Sequence, residues 1–303
     1  MKRSTALSAL ALSAAAAFTA GAYQFSFGRS PLARPMSRRG RSPAFQRSRE
    51  EAAARMRRLP HRTYTIVSAR GVTLKGFYYP CGDSTSDKVA FLVHGFHSEH
   101  REAAGLYLRY YHDRGFDVFC CDNTAAGESG GRLVGFGVFE RADCLRWLEF
   151  LQKTLGPDTR FLLHGFSMGG ATVLGMGPDC PACVKAIVAD SAFTDAARVL
   201  RPKMGVLYHP LHRLNRLVAG YSLDQTDVRS AVSRSPLPTL FVHGKADKVV
   251  PFSMGEELFA LHPGPKDALF LPAAGHVETM FAAPEVYGAK LDEFLRRHTN
   301  FLT

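Results

Sequence analysis

The pentapeptide Gly-Phe-Ser-Met-Gly at residues 165–169 constrains the fold of this chain more than any other segment. A short apolar run, residues 161–163, precedes it, and an apolar stretch with helical character, residues 171–176, follows it. This order predicts a buried strand, a sharp turn and a helix. Such a turn holds its central serine, Ser167, in a strained conformation with the hydroxyl exposed, and the flanking glycines avoid collisions. We therefore interpret Ser167 as a candidate nucleophile.

The partners that a serine nucleophile requires follow in the order expected for this turn. A serine hydroxyl is a weak nucleophile until a base removes its proton, and the base needs an acid that orients it. On folds that carry this turn, the acid and then the histidine come after the serine, each directly behind a strand. Asp247 follows the strand-like run 239–243, and His276 follows the short apolar run 268–271. We therefore predict a catalytic triad of Ser167, His276 and Asp247.

A second acid competes with Asp247 for the orienting role. Asp190 follows the apolar run 186–189, and some hydrolases carry the acid one strand earlier. The spacing between Gly244 and Asp247, together with the apolar residues 249–251, favours Asp247. Asp190 remains the alternative.

An oxyanion hole needs two N–H donors close to the nucleophile. The first is expected from the backbone of Met168, which directly follows the serine at the start of a helix. The second is expected from Phe96, because residues 88–93 read as a strand that ends in a loop with a single glycine. His97 and His100 follow in the same loop, either at the pocket mouth or in solvent.

Strand-like and helix-like segments alternate along most of the chain. Strand-like runs occur at residues 63–67, 72–79, 89–93, 117–121, 160–164, 186–190, 239–243 and 268–271. Helical patterns occur near residues 100–114, 138–156, 170–176, 253–262 and 284–297. After an opening hairpin, this alternation predicts an α/β fold with a doubly wound, mostly parallel sheet of eight strands.

The segment from about residue 195 to residue 236 is too long for a simple connection. Its apolar residues lie among basic ones, which indicates two or three short helices that form a small cap over the site. A cap would exclude water and shape the leaving-group pocket. The alternative is an ordinary crossover helix with decoration.

Several segments carry a resemblance to a known family: residues 93–96, 127–129, 135–148, 165–170, 219–222, 243–251 and 275–276. Through them the chain, from about residue 63 to about residue 297, resembles bacterial α/β-hydrolases of the serine aminopeptidase-like family, which has membrane-anchored members. The resemblance implies the α/β-hydrolase fold and the Ser-His-Asp triad. It implies little about the substrate, because the superfamily contains esterases, thioesterases, amidases, peptidases and lipases.

The chain departs from these relatives in residues 122–129. Relatives usually carry an arginine at the position of Thr124 and a histidine at the position of Ala126. Because those side chains usually contact the scaffold, the departure leaves the triad prediction unchanged. It predicts altered packing beneath the oxyanion loop or a different polarity of the pocket.

The charge of the chain is divided unevenly. Residues 1–62 hold 13 of the 38 lysines and arginines but only 2 of the 27 acids, so they carry the whole net charge of +11. Residues 63–303 are electrically balanced, which leaves no basic surface of the kind that binds nucleic acid. We therefore expect no nucleic-acid partner, and the predicted triad leads us to expect a small-molecule ester or amide substrate.

The N-terminal residues predict a targeting segment. Residues 4–28 are uncharged, and as a helix they would be about 37 Å long, enough to cross a bilayer core. Residues 1–28 are therefore a membrane anchor or a signal peptide cleaved near residues 20–22, and an organellar transit peptide is the third reading. The expected localisation is membrane-anchored or exported, with the bacterial cell envelope favoured over the cytoplasm or an organelle.

Residues 29–62 are rich in Ser, Pro and Arg, which predicts a basic linker with a short helix around residues 50–58. Seven arginines between residues 29 and 49 disfavour export and could hold this segment against anionic lipid. Residues 63–303 then form the hydrolase domain with the cap insertion. Catalysis and membrane attachment are expected to be separable by truncation near residue 62.

Together these patterns predict a serine hydrolase that cleaves a carboxylic ester with a small or medium acyl group through an acyl-enzyme. A peptidase, amidase or thioesterase with the same triad is the alternative, and a non-catalytic binding module is the third reading. A peptidase that trims free N-termini needs acids for the amine, and beyond Asp195 the cap holds only Asp224 and Asp227. The Cys-x-x-Cys motif at residues 180–183 lacks a second pair, so no metal or cofactor is expected.

Overall fold

The computed structural model describes residues 17–29, 41–82 and 86–302. Its strands are β1 Arg62–Val67, β2 Thr73–Tyr79, β3 Lys88–Val93, β4 Asp117–Cys121, β5 Arg160–Phe166, β6 Val184–Asp190, β7 Thr239–Gly244 and β8 Lys266–Leu271. They form one sheet in the order β1-β2-β4-β3-β5-β6-β7-β8. The β1–β2 and β2–β4 pairs are antiparallel and the others are parallel. The predicted fold class, a mostly parallel eight-stranded sheet, is confirmed.

Helices lie between the strands and around the sheet. In chain order they are α1 Pro43–Met56, α2 His100–Ala104, α3 Leu108–His112, α4 Val138–Leu155, α5 Met168–Gly175, α6 Ala196–Met204, α7 Tyr208–Val218, α8 Arg229–Val232, α9 Phe252–Leu261, α10 Thr279–Ala282 and α11 Pro284–His298. A further helical stretch covers residues 17–27. Within the described residues, no helix is both long enough and apolar enough to span a membrane.

The sheet separates two apolar cores because its central strands are apolar on both faces. In β3, Val89, Phe91 and Val93 pack in one core, whereas Ala90 and Leu92 pack in the other. This period of two is the strand repeat, and burial of both faces is typical of parallel sheets covered by helices. The central strands are therefore rigid supports for the loops that follow them.

Parallel pairing brings the predicted functional loops to one place. β3, β5, β6, β7 and β8 are neighbours and run in the same direction. Their carboxyl ends therefore lie along one edge of the sheet, where ligands bind in folds of this type. The loops after four of these strands carry Phe96, Ser167, Asp247 and His276.

The cap segment is helical and lies over this edge. Residues 195–236 contain α6, α7 and α8 together with two short 3₁₀ turns, Gly205–Leu207 and Leu223–Thr226. The Asp195 carboxylate accepts a hydrogen bond from the backbone N–H of Arg198 and so caps the N-terminus of α6. Buried Leu211 fixes α7 against the core.

The N-terminal residues pack on the hydrolase body, which differs from the detached targeting segment expected from the sequence. In the helix at residues 17–27, Tyr23 and Phe27 are buried in the larger core. The Tyr23 hydroxyl donates a hydrogen bond to Oδ1 of Asn215, in cap helix α7. Residues 1–16 of the predicted segment lie outside the described residues.

The described part of the predicted linker also packs on the body. Helix α1 begins with Ser42 as its N-cap, and it buries the side chains of Phe45 and Met56 on one face. Arg49 forms an ion pair of 3.1 Å with Glu102. The linker interpretation is therefore wrong for residues 41–56, because the Ser- and Arg-rich composition concealed an apolar stripe.

Candidate active site

Ser167 occupies a strained turn between β5 and α5. Its φ of 54° and ψ of −115° lie in a region that side chains disfavour, and its N–H donates to the carbonyl oxygen of Asp190 over 2.8 Å. A Cβ atom at Gly169 would overlap the carbonyl oxygen of Val93, so only glycine fits there. The turn leaves Ser167 partly exposed between buried neighbours. This geometry presents the hydroxyl to solvent-accessible space.

The structure brings Ser167, His276 and Asp247 into one hydrogen-bonded chain. The His276 Nε2 atom lies 2.9 Å from the Ser167 Oγ atom, and its Nδ1 atom lies 2.7 Å from Asp247 Oδ2. Because Nδ1 faces a carboxylate, it carries the proton, and Nε2 is free to accept one from the serine. The Asp247 Oδ1 atom accepts the backbone N–H groups of Val249 and Val250 over 2.7 and 2.9 Å. Asp247 is thus held in a fixed orientation.

The electrostatic environment of these hydrogen-bonded residues keeps His276 neutral and Asp247 charged. Burial lowers the pKa of His276 below its ordinary value of 6.5, although the Asp247 carboxylate opposes that effect. The Arg41 guanidinium lowers the His276 pKa further. Burial alone would raise the pKa of Asp247, but the two histidines next to it, His276 and His243, hold it well below its usual range. A neutral imidazole beside a carboxylate is the resting state of a general base.

Asp190, the alternative acid, has different partners. Its carboxylate accepts hydrogen bonds from Ser191 Oγ, Thr279 Oγ1 and Tyr107 Oη at 2.9, 2.9 and 3.3 Å. Burial raises its pKa to about 6, and the three hydroxyls oppose that effect. None of the hydrogen bonds to Asp190 comes from His276 in the described part of the chain. Asp190 therefore supports the turn between β5 and α5, because its backbone carbonyl accepts the hydrogen bond from the Ser167 N–H.

The loop after β3 lies against the nucleophile. A Cβ atom built on Gly95 would lie 3.0 Å from the Phe166 carbonyl oxygen and 3.2 Å from Ser167 Cβ, so a larger residue would disturb the turn. Phe96 and Met168, the expected oxyanion donors, both line the cavity that contains Ser167. Met168 is the first residue of α5, where backbone N–H groups have no partner within the helix. These donors remain a prediction.

Buried His94, to which the sequence analysis gave no role, holds the same loop. Its Nε2 atom accepts the Asn123 N–H over 2.9 Å, and its Nδ1–H donates to the Gly95 carbonyl over 2.8 Å. Burial lowers the His94 pKa, which agrees with a neutral ring that accepts at one nitrogen. The signal in the sequence was its position at the end of a buried strand.

Two further histidines of this loop have separate environments. His97 lines the cavity, which agrees with the first of the two positions expected from the sequence, the pocket mouth and solvent. His100 is fully buried, and its ring stacks on Phe77 at 3.6 Å. The placement of His100 at the pocket mouth or in solvent was therefore wrong. Its Nδ1 atom bonds to Asp122, which ties it to the scaffold.

Three potential metal ligands that the sequence analysis did not group, Glu99, His100 and Asp122, lie close together. The Asp122 Oδ1 atom already accepts the backbone N–H of His100 and Oδ2 accepts that of Glu128. Burial would raise the Asp122 pKa, but the hydrogen bond from His100 and the electrostatic interaction with that ring lower the pKa to about 2. The group therefore acts as a brace between the loop after β3 and the loop after β4.

The loop that differs from its relatives at residues 124 and 126 makes its own contacts in the structure. Thr124 Oγ1 donates to the buried carboxylate of Asp143 over 2.7 Å. A guanidinium reaches the same loop from elsewhere, because Arg29 donates to the carbonyl oxygens of Gly127 and Ser129. The N-terminal segment thus supplies an arginine to a loop that lacks the one usual in relatives.

Backbone strain concentrates around the cavity. Among the described residues, six residues other than glycine have positive φ values, and four of them line the cavity: His97, Phe136, Ser167 and Val277. Such conformations cost about 1–3 kcal/mol each and persist where the surrounding structure enforces them. Their clustering agrees with the candidate site at this cavity.

Ser167 opens into a cavity of about 830 Å³. Its lining is mostly apolar, and part of it comes from segments that the sequence analysis placed outside the catalytic body. Residues 17–27 and 41–49 contribute Phe18, Gly21, Ala22, Phe25, Ser26, Arg41, Phe45 and Arg49. The signal for the first group was the spacing of Phe18, Ala22 and Phe25, which places them on one helix face. The same residues also suited a membrane segment, which is how they were interpreted.

Comparison with known proteins identifies the family. The profile of the family described as Serine aminopeptidase, S33 matches residues 84–236, half of the chain. The chain is 26% identical to YqkD of Bacillus subtilis over 77% of this chain and 78% of that protein. It is 25% identical to YfhR of Escherichia coli K12 over 74% of this chain and 77% of that protein.

A solved structure supports the fold. The Pyrococcus furiosus esterase Pf2001 superposes with a TM-score of 0.64 and 24% identity, over 79% of this chain and 93% of that one. With the family match and the sheet described above, this similarity confirms the resemblance inferred from the sequence. The chain belongs to the serine aminopeptidase S33 family and is a serine hydrolase with the α/β-hydrolase fold.

Proposed function

We propose that the protein hydrolyses carboxylic esters through an acyl-enzyme on Ser167. The observation that carries this proposal is the continuous hydrogen-bonded chain from Ser167 through His276 to Asp247. As Ser167 Oγ attacks the ester carbonyl carbon, His276 Nε2 accepts the hydroxyl proton. The Asp247 carboxylate stabilises the imidazolium that forms.

The negative charge that develops on the carbonyl oxygen needs donors that are already in position. In this proposal the N–H groups of Phe96 and Met168 supply them, and the N-terminus of α5 adds a partial positive charge. His276 then returns its proton to the departing alkoxide, which leaves as the alcohol. A water molecule, activated by the same histidine, hydrolyses the acyl-enzyme and regenerates Ser167.

The charges around the cavity favour an ester over a peptide with a free amino terminus. A substrate ammonium group needs an unpaired carboxylate, but Glu102, the one acid that lines the cavity among the described residues, forms an ion pair with Arg49. Arg41, Lys203 and Lys248 add positive charge to the lining. An ammonium group would be repelled there, whereas a neutral ester would not. The esterase designation of the Pyrococcus protein agrees with this choice.

A substrate panel tests the proposal. The purified full-length chain is assayed with p-nitrophenyl esters, an acyl thioester and aminoacyl p-nitroanilides, and Ser167→Ala serves as the control. The proposal predicts that esters have the highest kcat/KM and that Ser167→Ala removes the activity. Preferential hydrolysis of the aminoacyl compounds would favour the peptidase alternative, and retained activity in Ser167→Ala would exclude the mechanism.

We also propose that the enzyme is attached to a membrane of the cell envelope through its N-terminal residues. The uncharged residues 4–16 and the arginines that follow motivate this proposal. Because residues 17–29 pack on the body, the remaining uncharged stretch would be about 20 Å long as a helix, short of a bilayer core of about 30 Å. Attachment at the membrane surface therefore fits better than a complete span. Recovery of the intact full-length chain in the soluble fraction of its own cells would contradict this.

A further inference from the structure

The helix at residues 17–27 forms one wall of the cavity above Ser167. Phe18, Ala22 and Phe25 lie on the face that lines this cavity. Ala20 and Gln24, on the same helix, are exposed. The helix therefore has one face toward the substrate space and another toward solvent. The residues of this wall belong neither to the candidate triad nor to the loop that carries Phe96.

The wall is fixed to the body at several points, which makes it a permanent part of the site. The Tyr23 hydroxyl bonds to buried Asn215 in the cap, and the Phe27 ring, with no exposed surface, packs edge-on against Phe136. Just beyond the helix, Gly28 pairs with Leu133 in an antiparallel bridge. Residues held by several buried contacts do not swing freely.

The part of the cavity wall that the cap supplies is apolar as well. The cap contributes Val199, Leu200, Met204, Leu207 and Leu211 to the same cavity. Aliphatic and methionine side chains are flexible and adapt to a chain of variable shape. Phe96, Phe136 and Phe193 continue the apolar lining. A volume of about 830 Å³ is far larger than an acetyl group requires, and it falls in the range of sites for large ligands.

We propose that the helix at residues 17–27 and the cap together form a binding site for an aliphatic chain of the ester. The inference rests on the proposed ester hydrolysis and names its substrate class, a medium- or long-chain ester. Each methylene group that enters such a site gains about fourfold in kcat/KM, from the transfer free energy of apolar surface. The sequence predicted a small or medium acyl group, and a small one would leave most of this cavity unused.

Two phenylalanine substitutions on the same helix test the site. Ala22→Phe fills the cavity, whereas Ala20→Phe adds the same ring to the exposed face and is the matched control. The full-length variants are assayed with p-nitrophenyl acetate, butyrate, octanoate and laurate. Ala22→Phe is expected to lower kcat/KM for octanoate by about tenfold or more, the equivalent of two or more excluded methylenes, and that for acetate by less than about twofold. Ala20→Phe should match the wild type throughout.

A second variant guards against loss of folding in Ala22→Phe. Phe25→Ala enlarges the cavity, and the laurate-to-octanoate ratio of kcat/KM is expected to rise. The same three proteins are assayed with acetate esters of ethanol, butanol and octanol, which shows whether the chain belongs to the acid or to the alcohol. A uniform loss for all chain lengths in Ala22→Phe, or no change of the ratio in Phe25→Ala, would overturn the proposal.

A binding measurement separates this inference from the proposed chemistry. In the full-length Ser167→Ala background, laurate should raise the melting temperature, whereas acetate should not. Adding Ala22→Phe should remove the laurate effect, and adding Ala20→Phe should leave it. If wild-type protein hydrolyses no ester while this binding pattern holds, the proposed function fails and the chain site stands. If esters are hydrolysed but laurate has no effect, the chain site fails alone.

Discussion

The hydroxyl of Tyr23 donates a hydrogen bond to Oδ1 of Asn215 over 3.1 Å, and both side chains are buried. This bond joins the N-terminal helix to the cap, across 192 residues of sequence. Both segments line the cavity that contains Ser167. Residues 17–29 therefore pack as part of the hydrolase body.

A chain that begins at Arg62 is therefore expected to lose most of its ester hydrolysis, in contrast to the separability suggested by the sequence. The truncation removes Phe18, Ala22, Phe25, Arg41 and Phe45 from the cavity. It also exposes the apolar surface that they cover. The comparison is kcat/KM for p-nitrophenyl octanoate between full-length and truncated proteins. Equal values would show that the N-terminal wall has no role.

Removal of the Tyr23 hydroxyl measures the contribution of its hydrogen bond with Asn215 to stability. Tyr23→Phe should lower the free energy of unfolding by about 1–2 kcal/mol, because the Asn215 oxygen loses its buried donor. The matched control is Tyr64→Phe, at a partly exposed tyrosine of β1, for which a change within about 0.5 kcal/mol is expected. Denaturant unfolding of both variants provides the measurement. An unchanged stability in Tyr23→Phe would mean that the bond does not hold the helix.

Replacement of the two candidate acids should separate their roles. Asp247→Asn leaves the shape intact but favours the wrong tautomer of His276, so kcat should fall by about 10³- to 10⁴-fold. Asp190→Asn keeps an oxygen acceptor for its hydroxyl donors, and it should lower kcat by on the order of tenfold or less while it reduces stability. Steady-state kinetics and thermal unfolding of both variants test this ranking. A larger kinetic effect at Asp190 would reverse the assignment.

The pH dependence of kcat/KM should follow the protonation of His276. Burial lowers the pKa of this residue from its ordinary value of 6.5, so the basic form persists at lower pH. The rise of kcat/KM should therefore have its midpoint below pH 6.5. Because the Arg41 charge disfavours the imidazolium, Arg41→Gln should move the midpoint upward. Arg109→Gln, at a fully solvated arginine, is the control that should leave it unchanged.

Treatment with EDTA should leave ester hydrolysis unchanged. The proposed mechanism uses only protein groups and water, and the Glu99, His100 and Asp122 cluster is bonded internally as a brace. The assay compares rates before and after chelation and dialysis. Loss of activity that zinc or calcium restores would show that this cluster binds a metal after all.

The sheet could be predicted from the sequence because the signal for a strand is local: a short run of residues of one kind. The run Thr239–Gly244 is apolar or β-branched over nearly its whole length, and its bounds were predicted to within one residue. The proximity of Ser167, Asp247 and His276 could be predicted for the same reason. Each follows such a strand, and parallel strands that share an edge bring their loops together.

The N-terminal wall was missed because its evidence is not local. Residues 4–28 have the same hydropathy whether they enter a bilayer or pack on a protein. Whether they pack on the protein depends on contacts such as the hydrogen bond to Asn215, a polar residue far away in the sequence, in the cap. The buried pair of His100 and Asp122 was missed in the same way, because a histidine in a loop gives no sign that it will stack on Phe77.

Labelling with a fluorophosphonate probe tests the central assignment most directly, because the probe reacts covalently only with an activated serine. The full-length protein is labelled, digested and mapped by mass spectrometry, with Ser167→Ala, Ser191→Ala and His276→Ala in parallel. We predict that the label is attached to Ser167, that Ser167→Ala abolishes it, and that His276→Ala slows it while Ser191→Ala does not. Attachment to a different serine, or labelling that persists in Ser167→Ala, would contradict the proposed active site.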